Sequence, residues 1–283
     1  MQSELVRIYT KDKLELQGLL FEPKIKSSKA VVHIHGWVGN FYENRFIDKI
    51  SAYLLEKNIA FLTINTRGAG IITEFLKNKK KEKIGGSLEK FEESIYDIDA
   101  ALDFLTKRRY SEFILQGHSL GCQKIVYYVF NQKDIRIKCL VMLAPVDDAE
   151  FASSLFNKKK YNEAIKIAKD MISEGKGQEP VPQWMQYYPM LSANMFIQVS
   201  DPTSTSARII HTNGKLSELK SIKIPILAVF GSKDDYQKNP NDKLKALEEK
   251  TKCETLLIKD ANHWFSGTEN LIASEICKWI LNK

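Results

Sequence analysis

The chain has 283 residues, with 42 Lys and Arg against 35 Asp and Glu, a formal charge of +7 and 43% hydrophobic residues. That balance excludes a disordered chain and a membrane bundle, and no apolar run approaches the ~20 residues of a spanning helix. Only seven of the basic residues are Arg, so the excess charge reads as a solvated lysine surface and no nucleic-acid partner is expected.

Met1 to Arg7 lacks the basic region and apolar stretch of a secretory signal. The cysteines Cys122, Cys139, Cys253 and Cys277 are scattered, in neither zinc-ligand nor disulfide-framework spacing. The expectation is a reducing, cytoplasmic setting with no metal. The length suits one large domain or one domain carrying an inserted subdomain.

Leu5–Tyr9 and Leu14–Phe21 flank a polar turn and read as a β-hairpin. Ala30–His35 is a continuous β-branched run, as in a strand buried on both faces. A helix follows over Phe46–Lys57, then a strand over Ile59–Ile64. Residues 65–87 read as irregular, and Leu88–Lys107 as a helix with Phe91, Ile95, Ile98, Leu102 and Leu105 on one face. Phe113–Gln116 is a strand, Leu120–Phe130 a helix and Lys138–Leu143 a strand. Strands at Ile224–Phe230 and Glu254–Ile258 come later, with helices over Asp242–Glu249 and Asn270–Leu281.

Alternating strand and helix predicts an α/β fold with a mostly parallel, doubly wound sheet. The gap between Leu143 and Ile224 far exceeds an ordinary connection. It holds a lysine-rich helix over Asn157–Ser173, then glycines, prolines and an aromatic stretch near Trp184. The expected division is a catalytic domain of 1–146 and 219–283 with a helical cap insertion of 147–218 over the carboxyl edge of the sheet, where such sheets bind ligands.

The sharpest chemical signal is Gly117-His118-Ser119-Leu120-Gly121, between a buried strand and a helix. A serine hydroxyl is a weak nucleophile, and a tight strand-to-helix turn lifts it toward a base while aiming helix-N-terminal amides at the reacting carbonyl. Chain order then requires an acid and a histidine further on. Gly231-Ser232-Lys233-Asp234-Asp235 follows a late strand, making Asp234 the expected acid and Asp235 the alternative. His263 follows the last strand and is the one histidine after that acid, so it is the expected base. His35-Gly36-Trp37-Val38-Gly39 ends a central strand, and the Trp37 amide with that of Leu120 is the expected oxyanion hole. His33 reads as a core histidine, His118 as a group that packs or hydrogen-bonds locally, and His211, near the end of the insertion, as a residue away from the ligand rather than in contact with it. In the insertion, Trp184, Met185, Tyr187, Tyr188, Met190, Met195 and Phe196 are candidates to line an apolar pocket, with Trp184, Met185 and Tyr188 taken as substrate-binding. Asp147-Asp148 reads as a helix N-cap rather than a substrate contact.

These motifs, with Asn65-Thr66-Arg67-Gly68-Ala69-Gly70 after the second parallel strand, resemble the α/β-hydrolase superfamily of serine hydrolases over nearly the whole chain outside the insertion. Within it, His-Gly-Trp-x-Gly-Asn is similar to feruloyl and cinnamoyl-type esterases, and the region of Leu191-Ser192-Ala193 to siderophore-ester hydrolase-like proteins. Many relatives carry Asp where Asn65 stands, a structural position. The resemblance implies cleavage of a small or medium carboxylic ester through an acyl-enzyme on Ser119, without a cofactor. Amide or peptide cleavage, or a non-catalytic small-molecule receptor on the same fold, are the alternatives.

Overall fold

The computed structural model describes residues 2–283. Its central sheet has eight strands: β1 (Gln2–Tyr9), β2 (Glu15–Glu22), β3 (Lys29–Ile34), β4 (Ala60–Ile64), β7 (Glu112–His118), β8 (Ile137–Leu143), β9 (Ile226–Gly231) and β10 (Glu254–Ile258). Their order is β1-β2-β4-β3-β7-β8-β9-β10. The β1–β2 hairpin pairs antiparallel to β4, and every pairing from β4 to β10 is parallel.

The continuous hydrophobic strands follow from this burial. Alternate residues of β3 serve opposite cores: Ala30, Val32 and Ile34 face one, Val31 the other. The first core is closed by α2 (Ser94–Lys107), α3 (Leu120–Gln132) and α8 (Pro240–Lys250), through Ile98, Leu102, Ile125, Leu244 and Leu247. The second is closed by α1 (Phe46–Glu56) and α9 (Glu269–Leu281), through Phe46, Ile50, Ile272 and Ile276.

Two expectations are corrected. Residues 65–87 are not irregular throughout, because they contain a small hairpin of β5 (Thr73–Lys77) and β6 (Lys80–Ile84). Its two-residue turn, Asn78-Lys79, has both φ angles positive, 51° and 64°. That geometry suits the twist of a hairpin, but Lys79 is not the glycine that usually announces it. The helix expected from Leu88 begins only at Ser94, after a 3-10 turn at Phe91–Glu93. Lys90 is extended, and Glu89 is drawn inward to pair with Lys124 of α3.

The segment between β8 and β9 carries α4 (Asp148–Ser154), α5 (Lys158–Ser173), α6 (Ala193–Ser200) and α7 (Ser217–Ser221). Asp147, Asn157 and Ser192 cap the first three by accepting from the N–H groups of Glu150, Lys160 and Met195. Among the described residues, no helix is long and apolar enough to cross a membrane, and all four cysteines are free and buried.

Candidate active site

The register of the parallel strands sets the site. Ile34 lies beside Gly117, and His118 beside Leu143, so the chain leaving β3 runs next to the turn leaving β7. Ser119 sits in that turn with φ 52° and ψ −123°, a strained backbone of the kind that concentrates at functional sites. Side chains are excluded on either side. A Cβ on Gly117 would lie 2.4 Å from the Gly121 carbonyl oxygen, and one on Gly121 would lie 2.2 Å from that of Ile34. A Cβ on Gly36 would come within 2.9 Å of the Ser119 Cβ itself.

The acid and the base come from the adjacent strands β9 and β10. The two loops are tied where Lys233 N–H donates to the Ala261 carbonyl at 2.8 Å. His263 Nδ1 lies 2.9 Å from Asp234 Oδ2, while Asp234 Oδ1 accepts from the Tyr236 N–H at 2.9 Å. Asp234 is buried and Asp235 exposed, so burial and contact separate the two candidate acids. With Nδ1 directed at the carboxylate, His263 is left with Nε2 as its acceptor. No hydrogen bond joins Ser119 Oγ to His263 among the described residues, although both line one cavity. Such a bond commonly tightens only when substrate is bound.

His118 packs on Phe46 and hydrogen-bonds as expected, but to a residue far away in sequence. Its Nε2 donates to the His263 carbonyl at 2.9 Å, tying the Ser119 turn to the His263 loop across the sheet. Burial, followed by the neighbouring His263, holds it well below the usual histidine range, so it stays neutral. His33 pairs with Gln116 at 2.8 Å between the rings of Phe46 and Phe61. His211 does not line the cavity and bonds to Asp147 at 3.0 Å.

The turn after β3 is also strained, with Val38 at φ 52°. Among the described residues, neither the Trp37 nor the Leu120 N–H donates to a backbone carbonyl. His35 braces this turn from below. Its Nε2 accepts from the Thr66 N–H at 3.0 Å, which leaves the proton on Nδ1 to donate to the Gly36 carbonyl at 2.7 Å. Burial, with Lys124 nearby, lowers His35 to about 3. Lys124 Nζ is fully buried and reaches Glu89 Oε2 at 2.7 Å and Thr66 Oγ1 at 3.4 Å. In the same loop Asn65 Oδ1 accepts from Phe41 N–H at 3.0 Å, and buried Arg67 pairs with Asp97 at 2.9 Å.

A cavity of about 340 Å³ opens above Ser119. Its walls include Gly36, Trp37, Val38, His118, Val146, Asp148, Phe151, Tyr187, Tyr188, Val199, Tyr236, His263 and Trp264, with Glu43 at its mouth. Of the three residues taken as substrate-binding, Tyr188 lines it, its ring 4.6 Å from that of Trp37. Trp184 and Met185 do not. Met185 is fully buried in the core of the insertion, and Trp184 is turned to the surface, edge-on to Phe156. Met195 and Phe196 are likewise core, and Met190 is exposed.

The Asp147-Asp148 pair divides. Asp147 caps α4, and Asp148 lines the cavity. Sequence reasoning missed Phe151 and Tyr236. Phe151 lies one turn beyond Asp148 on α4, and Tyr236 two residues beyond Asp234, spacings that offered a signal. Among the described residues, no cluster of three or more His, Cys, Asp and Glu side chains is placed to hold a metal ion.

The strand order, the strained serine turn after β7 and the acid and histidine after the last two strands define an α/β-hydrolase fold. Solved structures agree. The chain resembles Est1E from Butyrivibrio proteoclasticus, solved with ferulic acid bound, at 18% identity over 98% of both chains with a TM-score of 0.66. DcsB in complex with its substrate analogue matches at 16% identity over 99% of both chains, TM-score 0.70. The Pyrococcus furiosus esterase Pf2001 matches at 17% identity over 99% of this chain and 90% of that one, TM-score 0.64. Residues 84–281 match the model of the family described as "Protein of unknown function (DUF1749)", and the chain belongs to that family. No curated protein matches it by sequence.

Proposed function

We propose that the protein is a serine hydrolase that cleaves a carboxylic ester of a small or medium substrate. The observation that carries this reading is that Ser119 and His263 line one cavity, with His263 paired to the buried Asp234 behind it. The esterase names and the bound ferulic acid among the structural neighbours support it.

In the first step Ser119 Oγ attacks the acyl carbonyl while His263 Nε2 takes the hydroxyl proton. The carbonyl oxygen becomes an oxyanion held by the N–H groups of Trp37 and Leu120, each such donor typically contributing ~3 kcal/mol. Asp234 holds the ring orientation and stabilises the imidazolium. Collapse of the tetrahedral species breaks the ester C–O bond, and His263 returns the proton to the departing alkoxide. Water then attacks the acyl-enzyme with His263 again accepting a proton, which regenerates Ser119 and releases the acid. Nothing in this cycle calls for a cofactor or metal.

The segment from Asp147 to Glu218 serves as a cap that closes the acyl pocket through Asp148, Phe151, Tyr187 and Tyr188. The setting is a cytoplasmic one, consistent with four free cysteines.

A fluorophosphonate probe tests this directly. It labels the purified protein at Ser119, and p-nitrophenyl esters are turned over. Turnover of aminoacyl anilides without esters would replace the reading by an amidase, and absence of labelling by a non-catalytic receptor.

A further inference from the structure

The cavity above Ser119 holds a carboxyl group that ester cleavage does not use. Asp148 is the first residue of α4, immediately after a neighbour whose oxygens are fully engaged. Asp147 accepts from Glu150 N–H, His211, and the N–H and Oγ1 of Thr212, with Lys243 Nζ at 3.5 Å. Asp148 instead faces the cavity. Its Oδ2 accepts from Gln123 Nε2 at 2.6 Å, and its Oδ1 has no hydrogen-bond partner among the described residues. Burial, and then the charge of Asp147, push its carboxyl well up, so a cation beside it would offset an unfavourable environment.

The surroundings specify the kind of cation. Among the described residues, no Lys or Arg lines the cavity. Phe151 stands one helical turn beyond Asp148, its ring edge-on to Tyr187 at 6.3 Å and tilted against Tyr236 at 5.1 Å. An alkylammonium entering the cavity would favour the ionised form of Asp148, pairing with it while its charge meets the ring quadrupoles, a gain that neither a neutral nor an anionic group can make.

Resting on the ester-hydrolase reading above, we propose that the cavity selects a substrate bearing a protonated amino group, which Asp148 receives as the specificity-determining residue with Phe151 and Tyr187 as its aromatic walls. The consequence is a preference for amino esters over isosteric neutral ones, and rejection of anionic ones.

Calorimetric titration with hexylammonium and, as the neutral counterpart, hexan-1-ol tests this on the intact protein. Hexylammonium is expected to bind at least tenfold more tightly than the alcohol and to slow labelling of Ser119. Asp148→Asn should erase that preference, and Phe151→Leu should reduce it about two- to fivefold, the size of an aromatic contribution. Equal affinity for the two ligands, or a preference that survives Asp148→Asn, would overturn the proposal. Should Asp148→Asn not fold, an unchanged preference in Phe151→Leu would overturn it instead. The outcome is separable from the hydrolase reading: that reading fails if Ser119 resists the probe, whereas the titration reads the pocket whether or not the serine reacts.

Discussion

The two walls of the cavity are built by different rules. On the sheet side, the backbone leaves no room for alternatives: Gly36, Gly117 and Gly121 are packed against carbonyl oxygens and the Ser119 Cβ, and the strained turns are held by neutral histidines. On the side of the insertion, Asp148 and Phe151 come from the short helix α4, and Tyr187 and Tyr188 from the irregular segment before α6. On the proposed reading, reaction chemistry is placed where the fold is over-determined, and selectivity where side chains can be exchanged without disturbing the sheet.

The largest expected effect lies on the sheet side. Ser119→Ala should lower ester turnover by at least about a thousandfold and remove probe labelling, while the melting temperature holds. Labelling that persists in this variant would remove Ser119 as the nucleophile. Next comes the support beneath the turn that carries Trp37. Lys124→Met leaves the Glu89 carboxylate buried without its partner, at a cost of about 3–5 kcal/mol in denaturant unfolding. The double change Lys124→Met with Glu89→Leu should recover most of that loss, and equal destabilisation of single and double variants would show that the pair is not coupled.

The pH dependence of stability probes the same frame. His33 and His35 are each lowered by burial to about 3, against about 6.5 in the unfolded chain. Between those values the unfolded chain binds more protons, so stability is fully present above about pH 6.5 and is lost as pH falls toward 3. Each should remove about 2 kcal/mol by pH 5. Urea midpoints at pH 7 and pH 5 measure this, and equal midpoints would contradict it. The smallest effects belong to the insertion. Tyr188→Ala should raise KM about tenfold, equivalent to ~1.4 kcal/mol, whereas Trp184→Ala, outside the cavity, should leave kcat/KM within about twofold. Comparable losses in both would erase the distinction between the lining and the core of that segment.

This division also explains what could be read from the residues. The serine turn was legible because glycine is the one residue that fits where two backbones touch, and chain order then left His263 as the one candidate base. Separating Asp234 from Asp235 needed the folded loop, since one residue of register decides which carboxylate meets Nδ1. The cavity wall was less legible. Trp184, Met185 and Tyr188 share a composition that suits both a core and a pocket, and only packing sends Met185 inward, Trp184 outward and Tyr188 to Trp37. Asp148 was masked by the capping signature of Asp147 beside it. The β5–β6 hairpin was missed because its strands alternate charge with few apolar residues and turn through Asn78-Lys79.

Trp37 joins the two walls. Its indole N–H donates to the Gly86 carbonyl at 2.7 Å, its ring rests on Tyr188, and the residue lines the cavity together with Ser119. On the proposed reading, pocket shape and oxyanion geometry share a single anchor. An attempt to broaden acyl acceptance by trimming this side chain would loosen the amide along with the wall, so turnover and selectivity would change together. Tyr188 offers the independent handle for redesign, because it shapes the same wall without carrying a reacting group.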